Sequence, residues 1–299
     1  MEIAISGASG LIGSALRLSL EQAGHRPVAF VRRVPVANRD EIRWDPATGS
    51  IDKASLEGID AVVHLAGAGI GDRRWTTARK RVLRDSRIGG TRLIATTLAG
   101  LDKPPSVFVC GSAIGFYGNR GDEELTEASG PGSGFLADLV VDWEDAAAPA
   151  RDAGIRTPTA RTGVVLTPSG GALKKQLPLF KVGLGGRFGP GDQWISWISL
   201  EDQVRALEFL MASPIDGPVN LTAPQPVTNN TFTKTLGTVL NRPTLLPVPL
   251  IGARLLFGKL LVDELMLASQ RVRASVLSNG GFRYQHETLE SVLRSSLGE

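Results

Sequence analysis

The chain has 299 residues, of which 42% are hydrophobic and 21% are charged, and its formal net charge is +3 at pH 7. This composition is ordinary for a globular protein, and the length suits one large α/β domain or one domain with a smaller lobe. The small net charge argues against a nucleic-acid partner, and no apolar stretch approaches the roughly 20 residues that span a membrane. We therefore expect neither kind of partner. We also expect a cytoplasmic protein, because the single cysteine, Cys110, cannot form an intrachain disulfide and no charged leader precedes the first apolar run.

Short apolar runs alternate with helix-length segments through the first half of the chain. The runs predicted as strands are 2–6, 27–31, 60–65, 107–111 and 156–166. The segments predicted as helices are 11–23, 77–98 and 134–153. Strands that alternate with helices in this way indicate a parallel sheet with crossover helices. The sequence therefore predicts an α/β fold built on a Rossmann-type, doubly wound parallel sheet.

Beyond Pro168 this alternation stops and glycine becomes frequent. A short strand is predicted at 218–222, and helices are predicted at 173–182, 200–212, 248–257, 261–273 and 289–297. We assign 1–168 to the Rossmann domain, with 192–222 returning to it. We assign 169–191 and 223–299 to a smaller, mainly helical C-terminal lobe on the substrate side.

A glycine-spaced turn joins the first predicted strand to the first predicted helix, at Gly7, Gly10 and Gly13. The first glycine allows a tight turn, the second lets the backbone approach a pyrophosphate, and the third lets helix and strand pack closely. The N-terminus of the helix adds N–H donors and a positive dipole. This context predicts a dinucleotide site. The same turn contributes Ser9, Leu11 and Ile12 to the predicted cofactor contacts.

The residues after the second strand decide between NAD and NADP. An acidic residue there would accept hydrogen bonds from a free ribose 2′-hydroxyl, but this chain has Arg32 and Arg33. A guanidinium matches a 2′-phosphate, so the sequence predicts NADP(H) as cofactor. The alternative is that both arginines are simply solvated.

Small residues follow the buried run at 60–65. They let the backbone come close to the adenine side of a cofactor, so we place Leu65, Ala66 and Gly67 in the cofactor site. We interpret His64, just before them, as a packed core residue rather than a catalytic one.

These motifs resemble the extended short-chain dehydrogenase/reductase superfamily, which includes nucleotide-sugar epimerases. The matching segments are the glycine turn, 64–67, 111–118, 189–193 and 197–202. A closer resemblance is to the atypical branch called the epimerase family, whose members end in a small domain of unknown function. The segments that carry it are 247–249, 269–272 and 281–284. The resemblance covers nearly the whole chain and implies a Rossmann fold with an NAD(P) cofactor.

The resemblance also shows where the chain departs from the superfamily's catalytic pattern. There a tyrosine and a lysine four residues later transfer the proton, and a serine on the neighbouring strand orients the substrate. The resemblance places Phe135 at the tyrosine and Leu139 at the lysine, and neither side chain can transfer a proton. By the same resemblance, the chain keeps the superfamily's serine as Ser112 and has Arg87 in place of a structural asparagine. We assign Arg87 to cofactor phosphate or ribose, the alternative being that its charge tunes a proton donor, and we assign Val165 to the cofactor site.

Tyr117 is our first candidate for a replacement proton donor, because it follows Ser112 on the loop beyond the strand. The alternative is an aromatic wall of the substrate pocket. On the substrate side we place Gln193, Trp194 and Trp197, although a core position suits Trp197 equally well. We identify no metal ligands, and the sequence leaves the oligomeric state open.

The leading hypothesis is an NADP(H)-binding oxidoreductase, or a nucleotide-sugar epimerase-like enzyme, that lacks the usual tyrosine–lysine pair. One alternative is a non-catalytic NADP(H)-sensing or regulatory protein, which the missing pair favours. Another is an enzyme that acts on nucleotide sugars through a transient keto intermediate, with a tightly held cofactor and no net turnover of it.

Overall fold

A computed structural model describes residues 1–37 and 39–298 of the chain. In chain order the strands are β1 (Glu2–Ser6), β2 (Arg26–Val31), β3 (Glu41–Asp45), β4 (Ser50–Ile51), β5 (Ala61–His64), β6 (Val107–Ala113), β7 (Glu124–Leu125), β8 (Thr159–Thr162), β9 (Val164–Leu166), β10 (Trp194–Ile195), β11 (Trp197–Ser199), β12 (Pro218–Leu221), β13 (Val227–Thr228) and β14 (Arg271–Val272). The α-helices are α1 (Leu11–Gln22), α2 (Thr77–Arg84), α3 (Gly90–Ala99), α4 (Phe135–Asp145), α5 (Ala148–Asp152), α6 (Gly171–Lys181), α7 (Leu200–Ala212), α8 (Asn229–Val239), α9 (Leu250–Phe257), α10 (Lys259–Leu261), α11 (Ser275–Asn279) and α12 (Leu289–Leu297). Two π-helical turns, Asp85–Gly89 and Val262–Met266, follow α2 and α10 directly.

An eight-stranded sheet with the order β12-β8-β6-β5-β1-β2-β3-β4 lies at the centre of the molecule. Its neighbouring strands are parallel, apart from the antiparallel pair β3–β4. From β1 the chain builds outward to β2 and β3, then crosses to β5 and builds outward in the other direction. The reversal beside β1 is the switch point of a doubly wound sheet, where ligands bind at the carboxyl ends of the strands. The predicted Rossmann-type sheet is confirmed.

Helices cover both faces of this sheet, which explains why its central strands are almost continuously apolar. On one face, Leu16 of α1 and Leu207 of α7 belong to the same buried cluster as the side chains of β1. On the other face, Ile94 of α3 and Ala150 of α5 pack in a second cluster. Burial of apolar surface on both faces therefore holds the Rossmann core together.

A third cluster forms the core of the mainly helical lobe. It joins Leu177 of α6, Phe232 of α8 and Val292 of α12, and it includes Trp197 at the start of β11. From β11 the chain runs through α7 to β12, which pairs with β8 at the edge of the large sheet. The segment between the two parts of the lobe thus contributes a strand to the Rossmann sheet.

The prediction of one helix over 261–273 was wrong. The structure has a π-helical turn that ends at Met266, followed by β14, which pairs with β7. The backbone N–H of Ser269 donates to Oδ1 of Asn119 (3.0 Å), and its hydroxyl donates to the carbonyl of Gly121 (2.7 Å). These contacts with a distant loop take the groups that a continued helix would use. The strand β3 and the helix α8 were not predicted from the sequence.

Within the described ranges, 1–37 and 39–298, none of the helices combines the length and the apolar character that crossing a membrane requires. In the same ranges, no three or more His, Cys, Asp or Glu side chains are grouped so that they could hold a metal ion.

Candidate functional site

The glycine turn lies at the carboxyl end of β1, and its glycines are required by close backbone contacts. Gly7 has φ +71°, and a Cβ there would lie 2.9 Å from the backbone N of Ala66. A Cβ on Gly13 would lie 2.2 Å from the carbonyl oxygen of Gly7. The N–H of Gly10 closes the turn by donating to that same oxygen (2.8 Å). Larger residues at the first and third positions would push the turn away from β5 and α1.

The N-terminus of α1 follows this turn and is open to an anion. Gly10 is the N-cap and provides no side-chain hydrogen bond, and the described helix has no acidic residue in its first turn. Its first N–H groups therefore keep their hydrogen-bonding capacity and their positive dipole. Leu11 lies beside the start of α6, where a Cβ on Gly170 would meet Leu11 Cδ1 at 2.8 Å. Val165 is close by, since a Cβ on Gly171 would lie 3.4 Å from its carbonyl oxygen.

The end of β5 is held by Ser6. Its hydroxyl oxygen accepts the N–H groups of Leu65 (3.1 Å) and Ala66 (3.2 Å), and it lies 2.5 Å from Nδ1 of His64. Because the oxygen already accepts two N–H groups, its own proton points to Nδ1, which leaves His64 with its proton on Nε2. Burial, with a smaller effect from Arg87, lowers the pKa of His64 to about 3. The interpretation of His64 as a neutral core residue is confirmed by its complete burial.

Arg32 and Arg33 differ in their surroundings, although their position after the second strand predicts the same role for both. The guanidinium of Arg33 donates to both carboxylate oxygens of Glu41, at 2.8 and 2.5 Å. This pair, with a further bond from the N–H of Val36, lowers the pKa of Glu41 to about 2. Arg32 is exposed and makes no side-chain hydrogen bond or ion pair within the described part of the chain. The structure thus distinguishes the two predicted phosphate ligands: within the described residues Arg32 is unpaired, whereas Arg33 pairs with Glu41.

Arg87 stands on the π-helical turn after α2 and lies against the strand end at Gly67. A Cβ on Gly67 would lie 3.3 Å from its guanidinium carbon. Its Nη1 donates to the carbonyl of Ala68 (3.0 Å), and the guanidinium lies 5.2 Å from the ring centroid of Trp143. Burial, and then the charge of Arg79, lower the pKa of Arg87 to about 10, so it stays a cation at neutral pH. Among the described residues it has no carboxylate partner, which suits a bound anion.

Ser112 belongs to a hydrogen-bonded network between β6, α4 and β8. Its hydroxyl donates to Glu144 Oε1 (2.5 Å), and Arg161 donates to both oxygens of that carboxylate (2.8 Å each). Nη1 of Arg161 also donates to the hydroxyl of Tyr117 (3.1 Å), which lies 2.8 Å from Oδ1 of Asn220. The network ties the C-terminal end of β6 to the neighbouring strands. Arg161 and Asn220, which complete this network, were not predicted from the sequence.

The structure does not place Tyr117 at an open pocket. The residue is fully buried, and burial raises the pKa of its hydroxyl, an effect that Arg161 partly offsets. A phenol enclosed in this way cannot reach a substrate as a proton donor, and it cannot form a pocket wall. Both interpretations of Tyr117 are therefore corrected, and its role in this structure is to join the Arg161 network.

The two positions that the resemblance assigns to catalysis lie in an apolar environment. Leu139 is 1% exposed and packs in a cluster with Trp75, Leu83 and Leu261. The ring of Phe135 lies edge-on to Trp75 with 5.2 Å between the centroids. A lysine in place of Leu139 would bury its charge among aliphatic side chains. No ordinary tyrosine–lysine chemistry is available at these two positions.

Two charged side chains nevertheless reach Phe135. Nζ of Lys80 lies 4.8 Å from the centroid of its ring. The carboxylate of Glu264, on the π-helical turn of the C-terminal lobe, accepts the N–H groups of Phe135 (3.1 Å) and Leu136 (2.9 Å). Gly134 makes room for it, since a Cβ there would lie 3.0 Å from the carboxyl carbon. The sequence analysis missed both groups, and no local pattern connects Glu264 with a helix 128 residues earlier.

The three predicted substrate residues are not brought together as one wall. Trp197 is fully buried in the core of the lobe, so its core alternative holds and its assignment to the substrate is corrected. Gln193 is also buried, and its Nε2 donates to the carbonyls of Phe188 (3.2 Å) and Met266 (3.3 Å). Trp194 is partly exposed. It lines a cavity of about 270 Å³ together with Pro224, Gln225, Pro226, Arg271 and Arg273.

The fold and its glycine turn define a Rossmann-type nucleotide-binding protein. Residues 3–222 match the family model described as "NAD dependent epimerase/dehydratase family", and residues 248–296 match "Domain of unknown function (DUF1731)". The chain belongs to the NAD dependent epimerase/dehydratase family. The predicted resemblance to the epimerase family branch, with its small C-terminal domain, is thereby confirmed.

Three proteins illustrate this similarity. Epimerase family protein Mb2239 of Mycobacterium bovis is 48% identical over 292 residues, which cover 97% of this chain and 96% of that protein. The human epimerase family protein SDR39U1 (isoform 2), solved with NADPH, has a TM-score of 0.91 and 30% identity, and the match covers 100% of both chains. The nucleoside-diphosphate sugar epimerase of Corynebacterium glutamicum has a TM-score of 0.81 and 35% identity, over 100% of this chain and 58% of that chain.

Proposed function

We propose that the protein binds NADP(H) at the carboxyl ends of β1, β2 and β5. The observation that carries this proposal is the glycine turn itself, whose close contacts with β5 and α1 exclude side chains at Gly7 and Gly13. The uncapped N-terminus of α1 would hold the pyrophosphate. Arg32 would bind the 2′-phosphate, and Arg87 would bind a ribose or phosphate oxygen near Gly67. The NADPH in the human SDR39U1 structure supports this assignment.

On this basis the protein is an oxidoreductase, or a nucleotide-sugar epimerase-like enzyme, that works without the tyrosine–lysine pair. NADP(H), when bound, supplies hydride transfer. Glu264 is the group that exchanges the proton, because its carboxylate is held at the backbone of Phe135. In the oxidising direction Glu264 accepts the proton of a substrate hydroxyl, and in the reducing direction it returns that proton to the oxygen. Lys80 adds a positive charge beside the same residue and favours a developing oxyanion.

The second candidate function is a non-catalytic NADP(H)-sensing protein. The apolar cluster around Leu139 favours it, because the position of the superfamily's lysine is sealed by hydrophobic side chains. The buried hydroxyl of Tyr117 favours it for the same reason. On this alternative NADPH changes the stability or association of the protein, while Glu264→Gln leaves those responses unchanged.

Cofactor titrations on the purified full chain test the binding proposal. We expect tighter binding of NADPH than of NADH, measured by the change in nicotinamide fluorescence. The NADPH-bound chain is then mixed with a panel of carbonyl compounds and nucleotide sugars, and absorbance at the NADPH band is followed. Oxidation by the native chain that Glu264→Gln slows would support the enzyme. Binding with no oxidation and no sugar conversion would favour the sensor, and failure to bind either cofactor would overturn the proposal.

A further inference from the structure

Seven aliphatic side chains, which we call the apolar face, are each more than 60% exposed near the C-terminal lobe. They are Val182 (66%), Leu184 (61%), Leu245 (88%), Leu246 (69%), Ile251 (81%), Leu255 (81%) and Leu256 (70%). Elsewhere in the described part of the chain, Val34 is the only other large hydrophobic residue that is more than 60% exposed. Single exposed leucines are normal on a protein surface, but so strong a concentration marks a binding surface.

Backbone contacts join the two segments that carry the apolar face. Phe188 forms an isolated parallel bridge with Val248. Nε of Arg242 donates to the carbonyl of Lys181 (2.7 Å), next to Val182. A Cβ on Gly186 would lie 1.8 Å from the carbonyl oxygen of Leu246, so the two segments of the chain are in direct contact there. The segment at 182–188 therefore lies alongside the one at 242–248, which leads into α9.

The helix α9 contributes three of the exposed aliphatic side chains of the apolar face. Ile251 and Leu255 are four residues apart, so they lie one above the other on the same side of the helix. Leu256 is adjacent to Leu255 and is also exposed. No residue of α9 is buried, which means that the helix leaves its apolar side in contact with solvent.

The two segments that carry the apolar face contain positive charges and no negative ones. The segments 170–191 and 241–262 contain seven Lys and Arg residues and no Asp or Glu. Lys181 and Arg187 are exposed, and neither has an acidic partner within the described ranges. The cations Lys175, Arg254 and Lys259 pair with acids outside the two segments, at 3.4, 2.8 and 4.0 Å. The surface thus combines protruding aliphatic groups with a border of positive charge.

We propose that the apolar face binds the surface of an anionic lipid bilayer. Leucine and isoleucine side chains of an interfacial helix enter the boundary between headgroups and acyl chains, while Lys and Arg contact anionic headgroups. The expectation that the protein has no membrane partner came from the lack of a spanning stretch, and a surface contact requires none. This proposal is independent of the proposed cofactor chemistry.

Charge and residue type disfavour the other occupants. In a symmetric dimer through this face the positively charged borders of the two copies would come together, which is repulsive. The centres of protein–protein interfaces are enriched in Tyr, Trp, Met and Arg, and Leu is under-represented among their energetic anchors. The apolar face consists of Leu, Ile and Val alone.

Vesicle co-sedimentation of the purified full chain tests this proposal. We expect binding to phosphatidylcholine vesicles that contain phosphatidylglycerol, much weaker binding to phosphatidylcholine alone, and a loss of binding as salt is raised. The double variant Ile251→Asp/Leu255→Asp should weaken binding at least about tenfold. Leu18→Asp is the matched control, because Leu18 is an exposed leucine (56%) outside the apolar face and should bind as the native chain does.

A second pair of substitutions separates lipid contact from misfolding. Lys181→Glu/Arg187→Glu changes only exposed charges, so its circular dichroism should match that of the native chain while its binding to anionic vesicles falls. The proposal is overturned if the native chain does not sediment with anionic vesicles, or if the variants and the Leu18→Asp control sediment equally. A concentration-dependent dimer that Ile251→Asp/Leu255→Asp abolishes would assign the apolar face to a second copy and overturn it as well.

Discussion

The carboxylate of Glu264 accepts the backbone N–H of Phe135 at 3.1 Å, although the two residues are 129 positions apart in the chain. The contact connects the π-helical turn of the C-terminal lobe to the first residue of α4. It also puts an ionisable group beside Phe135, the position that the resemblance assigns to the superfamily's tyrosine. The C-terminal lobe therefore contacts the first turn of α4 directly.

Replacing Glu264 with Gln should reduce stability, because only one of its side-chain atoms can still accept an N–H of α4. We expect the free energy of unfolding to fall by about 1 kcal/mol, the usual effect of losing a capping acceptor near the helix dipole. Urea denaturation followed by circular dichroism measures this. Asp263→Asn is the matched control, since Asp263 lies on the same turn but pairs with Arg254 at the surface. Equal losses in the two variants would contradict a specific contact between Glu264 and α4.

Arg32 and Arg33 should differ in their effect on cofactor preference. Arg32→Ser removes the unpaired cation at the end of β2, and we expect NADPH binding to weaken about tenfold with little change for NADH. Arg33→Ser should change the preference less, because its guanidinium already bonds Glu41. Parallel titrations of both variants with NADPH and NADH measure the difference. The reverse ranking would show that Arg33 leaves Glu41 to bind the phosphate.

The buried pair Arg161–Glu144 should matter far more to stability than an exposed pair of the same chemistry. Glu144→Gln leaves the guanidinium of Arg161, whose side chain is only 5% exposed, without its carboxylate. We expect a loss of about 3 kcal/mol in the free energy of unfolding. Arg84→Met, which breaks the exposed pair with Asp142, should cost less than about 1 kcal/mol. Similar values from urea denaturation would argue against the buried network as a stabilising feature.

His64 should make the protein less stable in acid. Its pKa is about 3 in the folded protein, below the ordinary value of 6.5, so the unfolded chain binds the extra proton between these pH values. Stability should be complete above pH 6.5 and should fall as the pH drops towards 3, by about 1.4 kcal/mol per pH unit from this residue. His64→Gln cannot titrate, and its stability profile should be flatter by that amount. Parallel profiles for the two proteins would contradict this prediction.

The parts of the fold that depend on local patterns could be predicted from the sequence. The central strands are continuous apolar runs because both faces of the sheet are covered, and the glycine turn has a fixed spacing. Tyr117 was misplaced, and Trp197 was left between a core and a substrate position, because an aromatic residue at the end of a strand carries no local sign of which way it points. Both are buried by elements that come from elsewhere in the chain, as the bond between Tyr117 and Asn220 shows.

The parts of the site that depend on distant contacts could not be predicted. Glu264 looked like one residue of an ordinary helix, and its partner in α4 lies in the other half of the sequence. The difference between Arg32 and Arg33 was also invisible, because it depends on Glu41 of β3, a strand that the sequence analysis missed. Contacts between segments that are far apart in sequence are set by packing, which local propensity does not encode.

The pairing of β12 with β8 has a consequence for the order in which the chain is made. Pro218–Leu221 is the last strand of the large sheet, so a ribosome must reach Leu221 before β8 is covered on its outer side. Until then Thr159–Thr162 presents an unpaired edge, which is the kind of surface on which growing chains aggregate. A fragment that stops at Ala212, just before this strand, should therefore precipitate when expressed, whereas one that includes β12 can close the sheet.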